Sequence, residues 1–270
     1  MVGLLPKAAI LESGKYYLNQ MGESAGVPER MIIETAVQSM GLKDVAEFNI
    51  DKKVIEYAIS KEDDLVNMTL TGFWDELSTD SPAPGGGSVA ALCSAMSGAL
   101  SAMVSNLTFS KKGYEKVWEE TKELSEIGQS IKERSLIAID TDTQAFYDMM
   151  DAARLPKKTD EAKKIRANAI QEATKKAILV PLETLEISLQ AAELAAKVAK
   201  IGNTNALSDA GVAAITANAA AKSAYLNVKI NMGGIDDETF KFDILTKSDE
   251  ILEKTNNIAL QVEKEIQGKI

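Results

Sequence analysis

The sequence predicts an all-α fold, arranged as a bundle of about five long helices with a short helical appendage at the N-terminus. Apolar residues recur at helical spacing along nearly the whole chain, and no stretch alternates as a half-buried strand does. Turn signals divide this pattern into long helical segments with short connections, which is typical of a helix bundle. The 270 residues, 45% of them hydrophobic, are enough for a sizeable core.

The appendage is predicted to occupy residues 1–66. Three helices are expected there: Lys7 to Met21, Pro28 to Met40 and, more briefly, Asp51 to Ser60. Glycines between these segments act as helix breakers.

The bundle is predicted to occupy residues 67–270. It begins with a short helix through Trp74 that ends before Ser81. The long helices expected after it run from Val89 to Thr108, Tyr114 to Ala153, Asp160 to Lys200 with a kink at Pro181, Ser208 to Ile230, and Asp236 to Gln267.

The segment that enters the first long helix is a candidate binding loop. Gly85, Gly86 and Gly87 can adopt backbone angles closed to other residues, and they allow a ligand to approach the backbone closely. Ser88 is predicted to cap the helix, whose exposed amide groups would attract anions. A tight turn without a ligand is the alternative.

The helix from Val89 to Thr108 has no charge and is long enough to cross a membrane, but we expect it to be a core helix. It is rich in serine, alanine and glycine, which suit lipid poorly. Its small residues recur at helical spacing and allow close helix packing, as do those of Val212 to Ala224. Two such thin helices leave room for a ligand or a partner subunit, or simply pack closely.

The composition excludes several classes of function. The chain has no histidine, so Ser-His-Asp and Cys-His nucleophilic sites are excluded. Its one cysteine, Cys93, excludes an internal disulfide and suits a reducing compartment. We expect no metal site, and with a net charge of -10 we expect no nucleic-acid or membrane partner. Pro6 and Lys7 interrupt the apolar N-terminus, so we expect a cytoplasmic protein without a signal peptide.

Two aspartates interrupt the apolar stripe of the helix from Tyr114 to Ala153. The stripe consists of Leu124, Ile127, Ile131, Ala138, Phe146 and Met149. Asp142 falls within the stripe, whereas Asp140 falls roughly on the opposite side, so the two carboxylates cannot enter one pocket on a straight helix. A buried carboxylate is costly unless it is paired or used with a shifted pKa. In a chain without histidine it is the natural acid-base candidate; bonding to a helix terminus or a basic residue is the alternative.

Three polar segments are further candidates for binding. Arg154 to Arg166 carries six cations against two anions, which suits a carboxylate-rich ligand or forms a solvated basic face. Asn203, Ser208 and Asp209 lie where one helix ends and the next begins. Asn227 and Asn231 share a helix face, where their amides can hold a heterocycle or satisfy buried backbone groups.

In their order and spacing, these motifs resemble the formiminotetrahydrofolate cyclodeaminase (cyclodeaminase/cyclohydrolase) family. The resemblance extends from residue 67 to the C-terminus, and the preceding part resembles a remnant of a formiminotransferase C-terminal subdomain with its linker, as in bifunctional enzymes. The motifs that carry it are SPAPGGGSVAAL, NLT, DTDTQAF, RLPKKT, GNTNALSDAGVAA and YLNVKINM.

The resemblance implies an ammonia-lyase of histidine degradation and one-carbon metabolism. It would cyclise 5-formiminotetrahydrofolate to 5,10-methenyltetrahydrofolate by carboxylate-centred acid-base catalysis, with ammonia released. By resemblance the catalytic residue is Asp140, and we predict this role for it; the apolar stripe would instead bury Asp142, which is predicted to be a supporting residue. The expected folate-binding residues are Gly85, Gly86, Gly87, Ser88, Lys157, Lys158, Arg166, Asn203, Ser208, Asp209, Asn227 and Asn231.

We expect no cofactor besides the folate substrate, which can carry a polyglutamate tail that Lys157 and Lys158 would bind. The chain is expected to form at least a homodimer, and a formiminotransferase domain or subunit is a candidate partner. Two alternative functions stay open. One is methenyltetrahydrofolate cyclohydrolase activity at the same site, and the other is a non-catalytic helical scaffold for a transferase.

Overall fold

The computed structural model describes residues 3–44, 47–59 and 64–270, and within these ranges the regular structure is helical. The one β-type pairing there is an isolated bridge between Leu5 and Val54. The prediction of an all-α fold is therefore confirmed. The predicted domain boundary after residue 66 falls within a short 3-10 helix, Leu65–Asn67, and stays a prediction.

The N-terminal unit is a pair of packed helices followed by two short ones. Helices α1 (Lys7–Gln20) and α2 (Glu29–Ser39) pack against each other around a core that includes Ile10, Ile33 and Val37. Gly14 lies so close to the Ile32 backbone that a side chain there would overlap it.

The predicted third helix of this unit is instead split into α3 (Ile50–Lys53) and α4 (Ile55–Ala58). Val54 separates them in an extended conformation, because Leu5 bonds to the backbone on both sides of it. The expected end at Ser60 lies outside the described residues.

The rest of the chain forms one short and five long helices, as predicted. The short helix is α5 (Leu70–Leu77), and the long ones are α6 (Gly86–Thr108), α7 (Trp118–Arg154), α8 (Asp160–Ile201), α9 (Leu207–Asn231) and α10 (Glu238–Gln267). Short 3-10 helices occur at Glu115–Val117, Thr204–Ala206 and Met232–Gly234. The helix predicted from Tyr114 therefore begins at Trp118, and α8 runs through Pro181 without a break.

Helices α6, α7, α8 and α9 form a four-helix arrangement, and α10 covers α8 and α9. The close approach predicted from small residues occurs where Gly98 of α6 meets Gly128 of α7. A methyl group on either glycine would lie within 2.8 Å of the other's carbonyl oxygen. Along α7, Leu124 and Ile131 are buried as expected, but Ile127 is 45% exposed.

Helix α6 passes a test for membrane spans by length and composition, yet 61% of its most apolar window is buried inside the protein. It begins earlier than predicted, with Gly85 in the N-cap position. Ser88 therefore lies in the first turn, and the prediction that it caps the helix is wrong. Its hydroxyl faces α7 instead, where it lies near the Ile139 carbonyl oxygen and Asp142 Oδ2.

Candidate functional site

A cavity of about 270 Å³ lies where the first turn of α6 meets the C-terminal half of α7 and the last turns of α9. It brings together three of the predicted groups: the glycine segment, one aspartate of the pair and the two asparagines. The lining residues are Pro82, Ala83, Gly85, Gly86, Gly87, Asp142, Thr143, Ala145, Phe146, Met149, Ala177, Asn227, Ile230 and Asn231.

Among these described lining residues, Asp142 is the one with a titratable side chain. Its Oδ2 lies 3.3 Å from the Ser88 hydroxyl, which is fully buried and also lies 3.4 Å from the Ile139 carbonyl oxygen. Burial raises the pKa of the Asp142 carboxyl, while hydrogen bonds from the Ser88 hydroxyl and backbone N–H act in the opposite direction. The net result is a carboxyl group that binds a proton more readily than an exposed aspartate.

The glycines are needed here because the carboxylate lies against the helix backbone. A Cβ atom on Gly87 would overlap the Asp142 side chain, and one on Gly86 would lie 3.4 Å from Asn227 Nδ2. The first turn of α6 therefore forms a wall of the cavity without side chains. Its backbone atoms lie close to the side chains of Asp142 and Asn227.

Asn227 and Asn231 line the wall that α9 forms, as their spacing predicts. Asn227 Nδ2 donates to the Ser223 carbonyl at 2.8 Å, and Asn231 Nδ2 donates to the Ala177 carbonyl at 2.7 Å. These bonds fix both side chains, and each amide has further capacity to donate and accept. The wall can therefore present hydrogen-bonding groups to a heterocycle.

Sequence reasoning did not single out several lining residues. Phe146 and Met149 continue the α7 face that carries Asp142, and they add an apolar surface on which a flat ring can pack. Thr143 Oγ1 is buried without a hydrogen-bond partner in the part of the chain that the structure describes. A signal was available for Phe146 and Met149, since both lie on the predicted apolar stripe of α7.

Asp140 lies outside this cavity. Its Oδ1 accepts a hydrogen bond of 2.7 Å from the Leu65 backbone N–H, in a wide groove between α7 and the N-terminal unit. Burial raises the pKa of Asp140 as well. The two aspartates therefore face different surroundings, as the helical spacing predicted, and it is Asp142 that meets the glycines and asparagines.

The basic segment lies beyond the cavity, at the connection between α7 and α8. Thr159 caps α8 by accepting a hydrogen bond from the Ala162 N–H, and Lys157 and Lys158 are exposed beside a shallow groove. Twelve residues of α7 separate Asp142 from Arg154, a rise of about 18 Å. Arg166 Nε donates to the Ala153 carbonyl at 3.0 Å, so it braces this connection.

Asn203, Ser208 and Asp209 are at the other end of the bundle. Asn203 is buried, and its Oδ1 accepts hydrogen bonds from Lys111 Nζ and the Asn205 N–H. The distance from Asp209 to Asn227 along α9 is about 27 Å. Within one chain, therefore, these three residues do not line the Asp142 cavity.

Among the described residues, no cluster of three or more acidic or cysteine side chains could hold a metal ion. The cavity offers one carboxylate, two amides and backbone amide groups. Its lining suits an uncharged or cationic heterocycle, with acid-base chemistry assigned to Asp142.

Comparison with protein families gives two matches along the chain. A family model described as formiminotransferase-cyclodeaminase matches residues 69–250, and one described as formiminotransferase domain matches residues 1–60.

Among the known proteins that are similar to the chain are two relatives and one solved structure. The methenyltetrahydrofolate cyclohydrolase of Methylorubrum extorquens is 39% identical over 204 residues, which cover 76% of this chain and 98% of that protein. The formimidoyltransferase-cyclodeaminase of Mus musculus is 32% identical over 244 residues, covering 89% of this chain and 45% of that protein. The chain thus spans about half the length of this larger relative. A structure of formiminotetrahydrofolate cyclodeaminase from Thermotoga maritima matches with a TM-score of 0.68 and 30% identity, covering 74% of this chain and 96% of that chain.

Proposed function

The chain belongs to the formiminotransferase-cyclodeaminase family, and from this premise we propose that it cyclises 5-formiminotetrahydrofolate to 5,10-methenyltetrahydrofolate with release of ammonia. The observation that carries the proposal is the meeting of Asp142 with Gly87, Asn227 and Asn231 in one cavity. Family membership supplies the substrate class, and the cavity supplies a carboxylate suited to the proton transfers.

The reaction needs one bond formed, one bond broken and one proton moved. The N10 nitrogen of the folate attacks the formiminium carbon, and the N10–C bond forms. The N10 proton is removed, the amino group is protonated, and the C–N bond breaks as ammonia leaves. The methenyl product keeps the positive charge of the protonated substrate, so atoms and charge balance. The nucleophile is part of the substrate, so holding the folded-back conformer supplies much of the rate enhancement.

Asp142 takes the N10 proton as a general base and returns it to the departing amino group as a general acid. A raised pKa suits this double role, because acid-base catalysis is most effective with a pKa near the working pH. As an ionised carboxylate it also stabilises the cationic reaction centre. The resemblance pointed to Asp140, but the Asp140 bond to Leu65 supports a structural role for that residue.

The other groups bind and orient the folate. The heteroatoms of the pterin form hydrogen bonds with the side chains of Asn227 and Asn231 and with the backbone of Gly86 and Gly87. The side chain of Phe146 packs against a ring of the folate. Lys157 and Lys158 bind the glutamate tail. The active form is at least a homodimer in the cytoplasm, and the product enters one-carbon metabolism from histidine degradation.

Cyclohydrolase activity is a second candidate, favoured by the 39% identity to a protein of that name over 98% of its length. Water would then be the nucleophile in the same cavity: it adds to the methenyl carbon with loss of a proton, and one of the two N–C bonds of that carbon breaks to leave a formyltetrahydrofolate. The match of residues 1–60 to a formiminotransferase model favours formimino chemistry instead. Incubating the chain with each folate separates the two: the cyclodeaminase releases ammonia from 5-formiminotetrahydrofolate, whereas the cyclohydrolase only removes the absorbance of 5,10-methenyltetrahydrofolate.

The catalytic assignment is tested with Asp142→Asn and, as its matched control, Asp140→Asn. We expect Asp142→Asn to lower kcat by about 10²–10⁴-fold, the usual contribution of acid-base catalysis, while Asp140→Asn keeps most of the activity. Ammonia release and folate binding are measured for both variants. Loss of turnover in Asp140→Asn alone would instead assign catalysis to Asp140. A wild-type chain that binds no folate would favour the scaffold alternative.

A further inference from the structure

The Ser88 hydroxyl lies between two acceptors on α7. Its Oγ is 3.3 Å from Asp142 Oδ2 and 3.4 Å from the Ile139 carbonyl oxygen. A hydroxyl carries one proton, so it donates fully to one of these acceptors at a time. Ser88 is fully buried and is not among the residues that line the cavity, so neither water nor a ligand there supplies another partner.

The Ile139 carbonyl has room for one further hydrogen bond. As part of α7 it accepts the N–H of Thr143, four positions later, which leaves one lone pair. Two hydroxyls compete for that lone pair. One is that of Ser88 from α6, and the other is that of Thr143 itself, because a threonine hydroxyl in a helix commonly bonds to the carbonyl four residues before it.

Thr143 does not form this usual bond. The bond is present, at 2.7 or 2.8 Å, in three other buried threonines of the long helices: Thr108, Thr174 and Thr255. Thr141, two residues away on α7, donates in the same way to the Ile137 carbonyl at 2.9 Å. Thr143 Oγ1 is instead buried without a partner among the described residues. The contact of Ser88 with the Ile139 carbonyl thus coincides with the loss of the bond that Thr143 would otherwise make.

The segments packed against Asp142 present uncharged groups to it in the part of the chain that the structure describes. Lysines on two of these helices have other partners. Lys176 of α8 bonds to Asp148, and Lys229 of α9 lies 5.3 Å from the centroid of the Tyr225 ring. The charge on Asp142 therefore depends on burial and on the hydroxyl and N–H groups of the first turn of α6.

We propose that Ser88 is a positioning residue that follows the proton on Asp142: its hydroxyl alternates between Asp142 Oδ2 and the Ile139 carbonyl, and Thr143 takes the Ile139 lone pair whenever Ser88 leaves it. The inference rests on the proposed function, in which Asp142 is both base and acid.

The cycle moves one proton through Asp142 and none through Ser88. While Asp142 is ionised, the Ser88 hydroxyl donates to Oδ2 and the Thr143 hydroxyl donates to the Ile139 carbonyl, so both hydroxyls are paired. When Oδ1 takes the N10 proton of the folate, Oδ2 becomes a weaker acceptor, and the Ser88 hydroxyl turns to the Ile139 carbonyl. After Asp142 returns the proton to the departing amino group, the first arrangement re-forms. The O–H bonds of Ser88 and Thr143 stay intact throughout.

The first test is titration of the Asp142 carboxyl in the ligand-free protein by carbon-13 NMR, with Asp142→Asn to assign the signal. Ser88→Ala is expected to move the midpoint to higher pH, because the ionised form loses a charge-assisted hydrogen bond. Thr143→Val should move it in the same direction by less, because the Ser88 hydroxyl then has no competitor for the Ile139 carbonyl. In the Ser88→Ala background, Thr143→Val should have no further effect.

Two matched controls remove hydroxyls that have other partners on the same helices. Ser94→Ala removes a buried serine of α6 that bonds to Ser135 of α7, and Thr141→Val removes a hydroxyl that bonds within α7. Neither should move the midpoint. An unchanged midpoint in Ser88→Ala would overturn the proposal. Additive shifts from Ser88→Ala and Thr143→Val would show that the two hydroxyls do not share an acceptor.

Steady-state kinetics separate a positioning role from contact with the folate. Ser88→Ala should move the acid limb of the kcat profile for ammonia release by about one pH unit upward, about tenfold in kcat at the low-pH end. KM should stay within about twofold of wild type. Ser88→Cys, which offers a weaker donor of similar size, should recover part of the lost rate.

A raised KM with an unchanged kcat in Ser88→Ala would show instead that Ser88 binds the substrate. If the wild-type chain is inactive on folates, the proposed function fails, while the NMR titration still decides whether the Ser88 hydroxyl follows the charge on Asp142.

Discussion

At the residue scale, the position of Asp142 depends on the absence of a side chain at Gly87. The carboxylate occupies the space where a Cβ atom would lie, and the Ser88 hydroxyl holds it there. Among the described residues that line the cavity, no second acidic side chain could take its place. Glycine is therefore required at this position by contact with a functional group rather than by an unusual backbone angle.

We predict that Gly87→Ala moves the carboxylate and lowers kcat by about 10²-fold, because a displacement of about 1 Å can cost that much. The steady-state rate of ammonia release measures the effect. Gly268→Ala is the matched control, because a methyl group there meets only ordinary contacts of 3.7 Å at the end of α10. Equal activity in the two variants would show that Asp142 does not act from its observed position.

The buried carboxyl of Asp142 also affects how the free energy of unfolding depends on pH. Because its pKa is raised above the ordinary value of 3.8, the folded state favours the protonated form. The Asp142 carboxyl contributes stability below pH 3.8, and this contribution is lost as pH rises through the pKa of Asp142 in the folded state. We therefore predict that Asp142→Asn gains free energy of unfolding relative to wild type as pH rises from 4 to 8, measured by urea denaturation.

Asp148→Asn is the control of opposite sign. The bond from Lys176 Nζ, 2.5 Å long, lowers the pKa of Asp148, so that residue contributes stability above its ordinary pKa and loses it as pH falls. This variant should lose free energy of unfolding relative to wild type as pH rises from about 2 to 5, the range in which Asp148 ionises, and should change little above it. A difference that does not change with pH for Asp142→Asn would contradict the burial argument.

At the scale of elements, the connection between α7 and α8 extends the site along the axis of α7. Its exposed lysines lie beyond the cavity in the direction that the C-terminal half of α7 takes. A folate bound with its pterin beside Asp142 could direct its glutamate tail toward this connection.

We predict that replacing both Lys157 and Lys158 by alanine weakens binding of a polyglutamylated folate about three- to tenfold and of the monoglutamate less, as measured by calorimetry at low salt. Exposed ion pairs are weak, so high salt should remove most of the effect. Lys52→Ala with Lys53→Ala removes the same charge from an adjacent pair in the N-terminal unit and should leave both affinities unchanged. Equal losses for both ligands would exclude a role in binding the tail.

At the scale of the whole molecule, polar contacts attach the N-terminal unit to the bundle. They join the segment between α1 and α2 to helices α6 and α7. The Gly26 carbonyl accepts hydrogen bonds from Asn106 Nδ2 at 2.7 Å and Gln129 Nε2 at 3.2 Å. Beside it, the hydroxyls of Ser24 and Ser125 bond at 2.9 Å. The bond from the Leu65 N–H to Asp140 Oδ1 holds the short 3-10 helix before α5 against α7.

We predict that Gly26→Ala loosens this attachment, because the added methyl group would overlap Ser125 and lie 2.6 Å from its carbonyl carbon. Hydrogen exchange should become faster in α1 and α2 while the core of the bundle keeps its protection. Gly3→Ala, which adds a methyl group in open space, is the control. Unchanged exchange in α1 and α2 would mean that other contacts hold the unit.

The sequence by itself determined the elements that depend on local pattern. Apolar periodicity, helix breakers and caps predict the all-α class and the five long helices, because these signals act within a few turns of the chain. The periodicity also separated Asp140 from Asp142, and the ordered motifs pointed to the family.

Only the tertiary structure decided which of these residues meet. The phase of a helix shows which side chains share a face, but which neighbour covers that face depends on packing between distant segments. For this reason the sequence did not tell that Asp142 rather than Asp140 faces the glycines, or that Ser88 bonds to α7 instead of capping α6. It also grouped Asn203, Ser208 and Asp209 with a cavity that lies about 27 Å away along α9, because order along the chain carries no distance between the two ends of a long helix.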